Sequence, residues 1–282
     1  MKRIDIAKSG DRGNKPRLIR RSGLIALALP ILLAGAAAGF MWLQPSATVW
    51  EPAIRAFEEQ DRQQLPEPGP VIFVGSSSIR FWDTLAADMA PIPVLNRGFG
   101  GAHLRDVLHY ADRVILPYRP RVVVIYAGEN DLGSWWAWPG LIVDRFQQLV
   151  ERLRQRDPKL PILLLAVKPS PYFAARLERQ QEANRQLRAY CEATPGLRFI
   201  DVASPLLDAQ GRPRPELYRD GLHLNAAGYA LWREEVRLVL LEMLGLSSES
   251  GGSGTAALEP PARVPIPSSA PDRRADSPPP SR

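Results

Sequence analysis

The chain has 282 residues, 45% of them hydrophobic, with 36 Lys and Arg against 30 Asp and Glu and a single cysteine. Residues 1–22 carry eight basic side chains against Asp5 and Asp11, which accounts for the whole net charge of +6. The balanced remainder lacks the electrostatic footprint of a nucleic-acid binder, and the lone Cys191 excludes an internal disulfide and any cysteine-rich zinc site.

In chain order, a basic segment (1–22) precedes an uncharged apolar run (23–43) long enough to cross a bilayer as a helix. The basic flank predicts a cytoplasmic N-terminus and an exported, extracytoplasmic body on a single-pass anchor. A cleaved signal peptide is the alternative, with Ala36-Ala37-Ala38 as the small residues a peptidase needs. Residues 44–69 read as a linker with a short amphipathic helix from Trp50 through Ile54 and Phe57 to Gln64, ended by Pro66-Glu67-Pro68-Gly69-Pro70.

From 70 to 245 the pattern alternates. Strand-like apolar runs stand at 71–75, 93–97, 122–127, 161–167 and 198–202. Helical spacing separates them, as in Leu104, Val107, Leu108, Ala111 and Ile115, and in Ile142, Phe146, Leu149, Val150 and Leu153; longer helices are expected over about 173–193 and 226–244. Five such strands predict an α/β fold: a three-layer α/β/α sandwich of the flavodoxin-like kind around a five-stranded parallel sheet. The final stretch, 246–282, is rich in Pro, Ser and Gly without apolar periodicity and is expected to be disordered.

Chemistry-bearing residues fall where strands end. Val71-Ile72-Phe73-Val74-Gly75 runs into Ser76-Ser77-Ser78, so Ser77 is either a nucleophile at a strand's carboxyl end or simply the start of a helix. Asn96-Arg97-Gly98-Phe99-Gly100-Gly101-Ala102 clusters three glycines whose backbone N–H groups can approach an oxyanion. It is not a dinucleotide fingerprint. Gly128-Glu129-Asn130-Asp131 follows the most hydrophobic, hence central, strand; it offers a side-chain amide donor or a capping turn. In Asp220-Gly221-Leu222-His223, the Asp220 carboxylate can hold Nδ1–H of His223 and leave Nε2 as a base.

Other residues have blander readings. His103 and His109 sit on different faces of one helix, which argues against a shared metal; His103, beside the glycines, could touch substrate. Lys168 reads as a solvated strand-end lysine, and Trp135, Trp136 and Trp138 as cleft walls or loop packing. Cys191 reads as a small buried hydrophobe. No cofactor-binding motif is present.

Taken together, the Ser, Gly, Asn and Asp-x-x-His blocks resemble the SGNH (GDSL-type) hydrolase family over about residues 70–245. The serine-rich Gly75-Ser76-Ser77-Ser78, with Ser76 where many members carry Asp, is similar to the platelet-activating-factor acetylhydrolase branch. The resemblance implies a serine esterase or lipase. Ser77 would be the nucleophile, His223 oriented by Asp220 the base, and Ser77 N–H, Gly101 N–H and the Asn130 amide the oxyanion hole. Acyl esters, lysolipids or acetylated glycans would be the substrates. An O-acyltransferase acting on glycans and a non-catalytic glycan-binding protein using the same cleft are the rival readings.

Overall fold

The computed structural model describes residues 47–134 and 137–246. The expected basic segment and anchor, Trp135, Trp136 and the tail after Leu246 lie outside the described residues; among the described ones no helix is long and apolar enough to cross a membrane.

Five strands form one sheet: β1 (Val71–Gly75), β2 (Val94–Gly98), β3 (Val122–Tyr126), β4 (Ile162–Leu165) and β5 (Leu197–Ile200). All four pairings are parallel in the order β2-β1-β3-β4-β5, with Gly75 in register with both Gly98 and Tyr126. This is the flavodoxin-like strand order, whose switch point between β1 and β3 opens a crevice at the carboxyl ends of the strands.

The three central strands β1, β3 and β4 are buried on both faces, so their residues divide by alternation. Ile72, Val74, Val123, Ile125, Ile162 and Leu164 face one core, closed by α1 (Glu51–Gln63), α4 (Leu104–Val114), α6 (Pro139–Arg156) and α7 (Leu177–Ala193). Val71, Phe73, Val122, Val124, Leu163 and Leu165 face the other, closed by α2 (Ser77–Arg80), α3 (Leu85–Asp88) and α8 (Ala226–Met243). The short α5 (Glu129–Gly133) caps the exit of β3.

The sheet and its two helical layers fit the sequence expectation, with shifts at the strand ends that have local causes. β2 begins after Pro93, which has no N–H to give the ladder but whose carbonyl accepts from Val71 N–H. β4 stops at Leu165 because Val167 bonds through both its N–H and its C=O to the Asn184 side chain, each at 2.8 Å, instead of to a strand. The short amphipathic helix expected within 44–69 is α1: Ile54 and Phe57 enter the core, and Arg113 on α4 binds Glu51 and Glu58 at 2.7 Å each. Arg97 on β2 is buried against Asp61 of α1 and lies over the Phe57 ring, 5.0 Å from its centre.

Candidate active site

The serine turn is built by close approach. Gly75 closes β1 with φ +146°, and a Cβ there would stand 1.8 Å from Tyr126 O, so only glycine fits between the two central strands. The next residue binds that same carbonyl, Ser76 N–H to Tyr126 O at 3.0 Å, and Gly75 O accepts from Phe99 N–H at 2.9 Å, drawing the glycine loop beside the serine turn. Ser77 opens α2 as its first residue, where a helix leaves its N–H without an intrahelical acceptor. Ser78 is fully buried, and its carbonyl accepts from the Tyr229 hydroxyl of α8 at 2.8 Å.

His223 reaches this turn from the far end of the chain. Its Nε2 stands 3.0 Å from Ser77 Oγ and its Nδ1 2.7 Å from Asp220 Oδ2. The other oxygen of Asp220 accepts from the backbone N–H of Leu222 at 3.0 Å and of His223 at 2.7 Å, which locks the four-residue loop. Burial alone would raise the Asp220 carboxyl; bonds from the His223 backbone, the imidazole and Leu222 outweigh it and hold it well below the usual carboxylate range. Burial also lowers the His223 imidazole, Asp220 opposes, and the Lys168 and Arg219 cations lower it further, with a net shift down. Phe81 packs edge-on against the imidazole, ring centres 4.9 Å apart, with the Arg219 guanidinium 4.0 Å over the Phe81 ring.

The expected oxyanion donors lie on the two neighbouring exits. Trp50 Nε1 donates to Gly100 O at 2.6 Å, and in a trans peptide the following N–H, that of Gly101, points away from Trp50. Gly101 holds φ +78°. Asn130 Nδ2 donates to Ala102 O at 3.0 Å, joining α5 to the glycine loop and leaving its second proton for another acceptor. The residues on either side of Asn130 are pinned: Asp131 accepts from Arg145 at 2.5 Å and from Leu104 N–H at 3.2 Å, and Glu129 binds Lys168.

The structure therefore brings Ser77, Asp220 and His223 together, with the Gly101 and Asn130 loops tied to one another beside them. It corrects the reading of Lys168, which is not solvated but fully buried against Glu129. His103 is occupied by Asp106, which accepts from its backbone N–H at 2.9 Å and stands 3.2 Å from its Nδ1; His109 is exposed. Trp138 is exposed as well. Trp50, Phe81 and Glu129 were missed as site residues, because their partners Gly100, His223 and Lys168 are distant in sequence.

A carboxylate, an imidazole and a hydroxyl in series form the constellation of an acyl-transfer enzyme. The chain belongs to the GDSL-like lipase/acylhydrolase family, whose model matches residues 72–231. That family is one of lipases and acylhydrolases. Among solved structures the chain is similar to a candidate platelet activating factor from Streptococcus pneumonia (20% identity, 72% of this chain and 99% of the other, TM-score 0.62). It is similar also to a GDSL-like lipase from Bacteroides thetaiotaomicron (19% identity, 68% and 98%, TM-score 0.59). A third is a catalytic mutant of an acetylxylan esterase from Geobacillus stearothermophilus (16% identity, 65% and 97%, TM-score 0.52). At these identities the likeness is one of fold. A curated relative, N-acylneuraminate cytidylyltransferase of Escherichia coli, is 23% identical over 181 residues; the match takes in 63% of this chain and 42% of that protein, so the chain spans less than half of it.

Proposed function

We propose that the protein cleaves carboxylic esters by two acyl transfers, with Ser77 as nucleophile, His223 as base and Asp220 as its orienting carboxylate. The observation that carries this is the unbroken series from Asp220 Oδ2 through Nδ1 and Nε2 of His223 to Ser77 Oγ, at 2.7 and 3.0 Å. His223 Nε2 takes the hydroxyl proton as Oγ bonds the acyl carbon, then returns it to the departing alkoxide. Water, deprotonated by the same nitrogen, releases the acid and restores the serine. Ser77 N–H, Gly101 N–H and Asn130 Nδ2–H receive the oxyanion in both steps.

The alcohol leaves on the His223 side, since that residue protonates it. A cleft of about 410 Å³ opens there, sharing Phe81, Arg219 and Leu224 with the site surroundings and lined also by Asp83, Thr84 and Arg233. Charged walls suit a polar alcohol portion, such as a sugar or glycerol ester, better than a long hydrocarbon. The apolar run 23–43 behind a basic flank supports a membrane-anchored, exported location for this activity.

A fluorophosphonate probe tests the chemistry: wild type should label and Ser77→Ala should not, and an unlabelled wild type would favour the glycan-binding reading. With the acyl group held as acetyl, turnover of an acetylated sugar or glycerol above that of a long-chain alkyl acetate is expected, and a preference for the long-chain alkyl acetate would overturn the polar-alcohol assignment. Membrane pelleting of the full chain through alkaline carbonate, lost on deleting 1–43, checks the anchor.

A further inference from the structure

Beneath the site lies a charged pair that the acyl-transfer steps leave unused. Lys168 follows β4 and is wholly shielded from solvent. Its Nζ donates to both oxygens of Glu129, at 2.6 and 2.8 Å, and to the carbonyl of Leu222 at 2.7 Å. These bonds occupy all three ammonium protons. The Tyr126 hydroxyl donates to the same Glu129 carboxylate at 3.0 Å. Burying such a pair costs the solvation of both ions, and apolar residues of similar volume often hold a fold as well or better. Stability alone is therefore a poor reason for it to be there.

Its neighbours in the chain supply a better one. Glu129 immediately precedes Asn130 on α5, and Leu222 lies between Asp220 and His223. The loop carrying His223 is held from the segment that leaves β4: Lys168 grips Leu222 O, Tyr172 N–H donates to Gly221 O at 3.0 Å, and the Tyr218 hydroxyl donates to Pro169 O at 2.5 Å. Of these three ties, only Lys168 also reaches α5.

We propose that Lys168 is a positioning residue that joins the Asn130 helix to the His223 loop, so that oxyanion donor and base keep one spacing across the site. The inference rests on the esterase reading above. It also carries an electrostatic consequence. His223 is faced by Asp220 and Arg219 from its own loop, by Ser77 and Phe81 from α2 and its end, with Arg80 over the Phe81 ring, and by Lys168 from the β4 exit with Glu129 behind it. The Lys168 cation is one of the groups that lowers the imidazole.

The test compares wild type, Lys168→Met and Lys168→Met/Glu129→Gln in the full chain, reading the rate of fluorophosphonate inactivation against pH alongside the thermal unfolding midpoint. The double variant leaves no unpaired buried charge and gives the readout where the single one does not fold. Inactivation above the acid limb should slow by about tenfold or more, because a small misplacement of base against oxyanion donor is costly. The acid limb should move to higher pH, because a cation that lowers the imidazole has gone. A folded double variant with a wild-type rate overturns the inference, and so does a slowed one whose limb has not moved, since loosening of the fold alone does that. Failure of wild type to label at Ser77 overturns the esterase reading instead, so the two failures are distinguishable.

Discussion

Ser77 Oγ stands 3.0 Å from His223 Nε2 although 146 positions separate them in the chain. Two separate devices produce that contact. Gly75 lets β1 turn sharply against Tyr126 and presents Ser77 at the switch point between β1 and β3. The His223 loop is laid across the exit of β4, with Asn225 capping α8 just beyond it through a bond from Gly228 N–H at 3.1 Å.

The environment of His223 sets the pH response. Burial disfavours the imidazolium, Lys168 and Arg219 disfavour it further, and Asp220 only partly compensates. A lowered proton affinity means that the neutral, base-competent imidazole persists to lower pH than a free histidine, whose ordinary value is about 6.5. The acid limb of kcat/KM for p-nitrophenyl acetate should therefore fall below that value. A limb above it would contradict this account of the environment.

Asp220→Asn should leave the loop in place and remove most of the activity. The asparagine carbonyl can still accept from Leu222 and His223 N–H, but its amide then faces His223 Nδ1, forcing that nitrogen to accept and Nε2 to carry the proton. With the base blocked in the wrong tautomer, kcat should drop on the order of 10⁴-fold, the scale found for this change in serine-protease triads. An unchanged unfolding midpoint measured alongside would separate tautomer from fold.

Asn130→Ala removes one side-chain donor and its tie to Ala102 O. A lost oxyanion donor lowers kcat by about 10²- to 10³-fold. If Asn130 were only a capping residue, the variant would lose stability and keep its turnover, so steady-state kinetics beside a melting curve decides between the roles.

Much of the site was legible because its chemistry sits in contiguous blocks: the apolar run into Gly75-Ser76-Ser77-Ser78 and the Asp220-to-His223 loop each announce themselves within a few residues. The sheet was legible for a related reason, since strands buried on both faces read as short continuous apolar runs. Lys168 was not. A lysine after a strand is ordinarily solvated, and what buries this one is Glu129 and Leu222, 39 and 54 residues further from it along the chain in opposite directions. Likewise α1 was legible as an amphipathic helix but its docking was not, because its ion pairs, Arg113 with Glu58 and Arg97 with Asp61, join residues 55 and 36 positions apart.

Trp50 shows how that helical segment bears on the chemistry. It is buried beside Phe99, and its indole N–H donates to Gly100 O at 2.6 Å, fixing the peptide plane that aims the Gly101 N–H. Trp50→Phe keeps an aromatic ring in that position but cannot hold the carbonyl, so the plane is free to rotate and the oxyanion loses a preorganised donor. The stability cost should be modest, about 1 kcal/mol for one hydrogen bond. The cost in kcat should be larger, about tenfold or more, with KM little changed because the donor acts on charge that develops in the transition state. Turnover equal to wild type in a folded Trp50→Phe protein would show that the glycine loop holds its own geometry and that Trp50 serves packing alone.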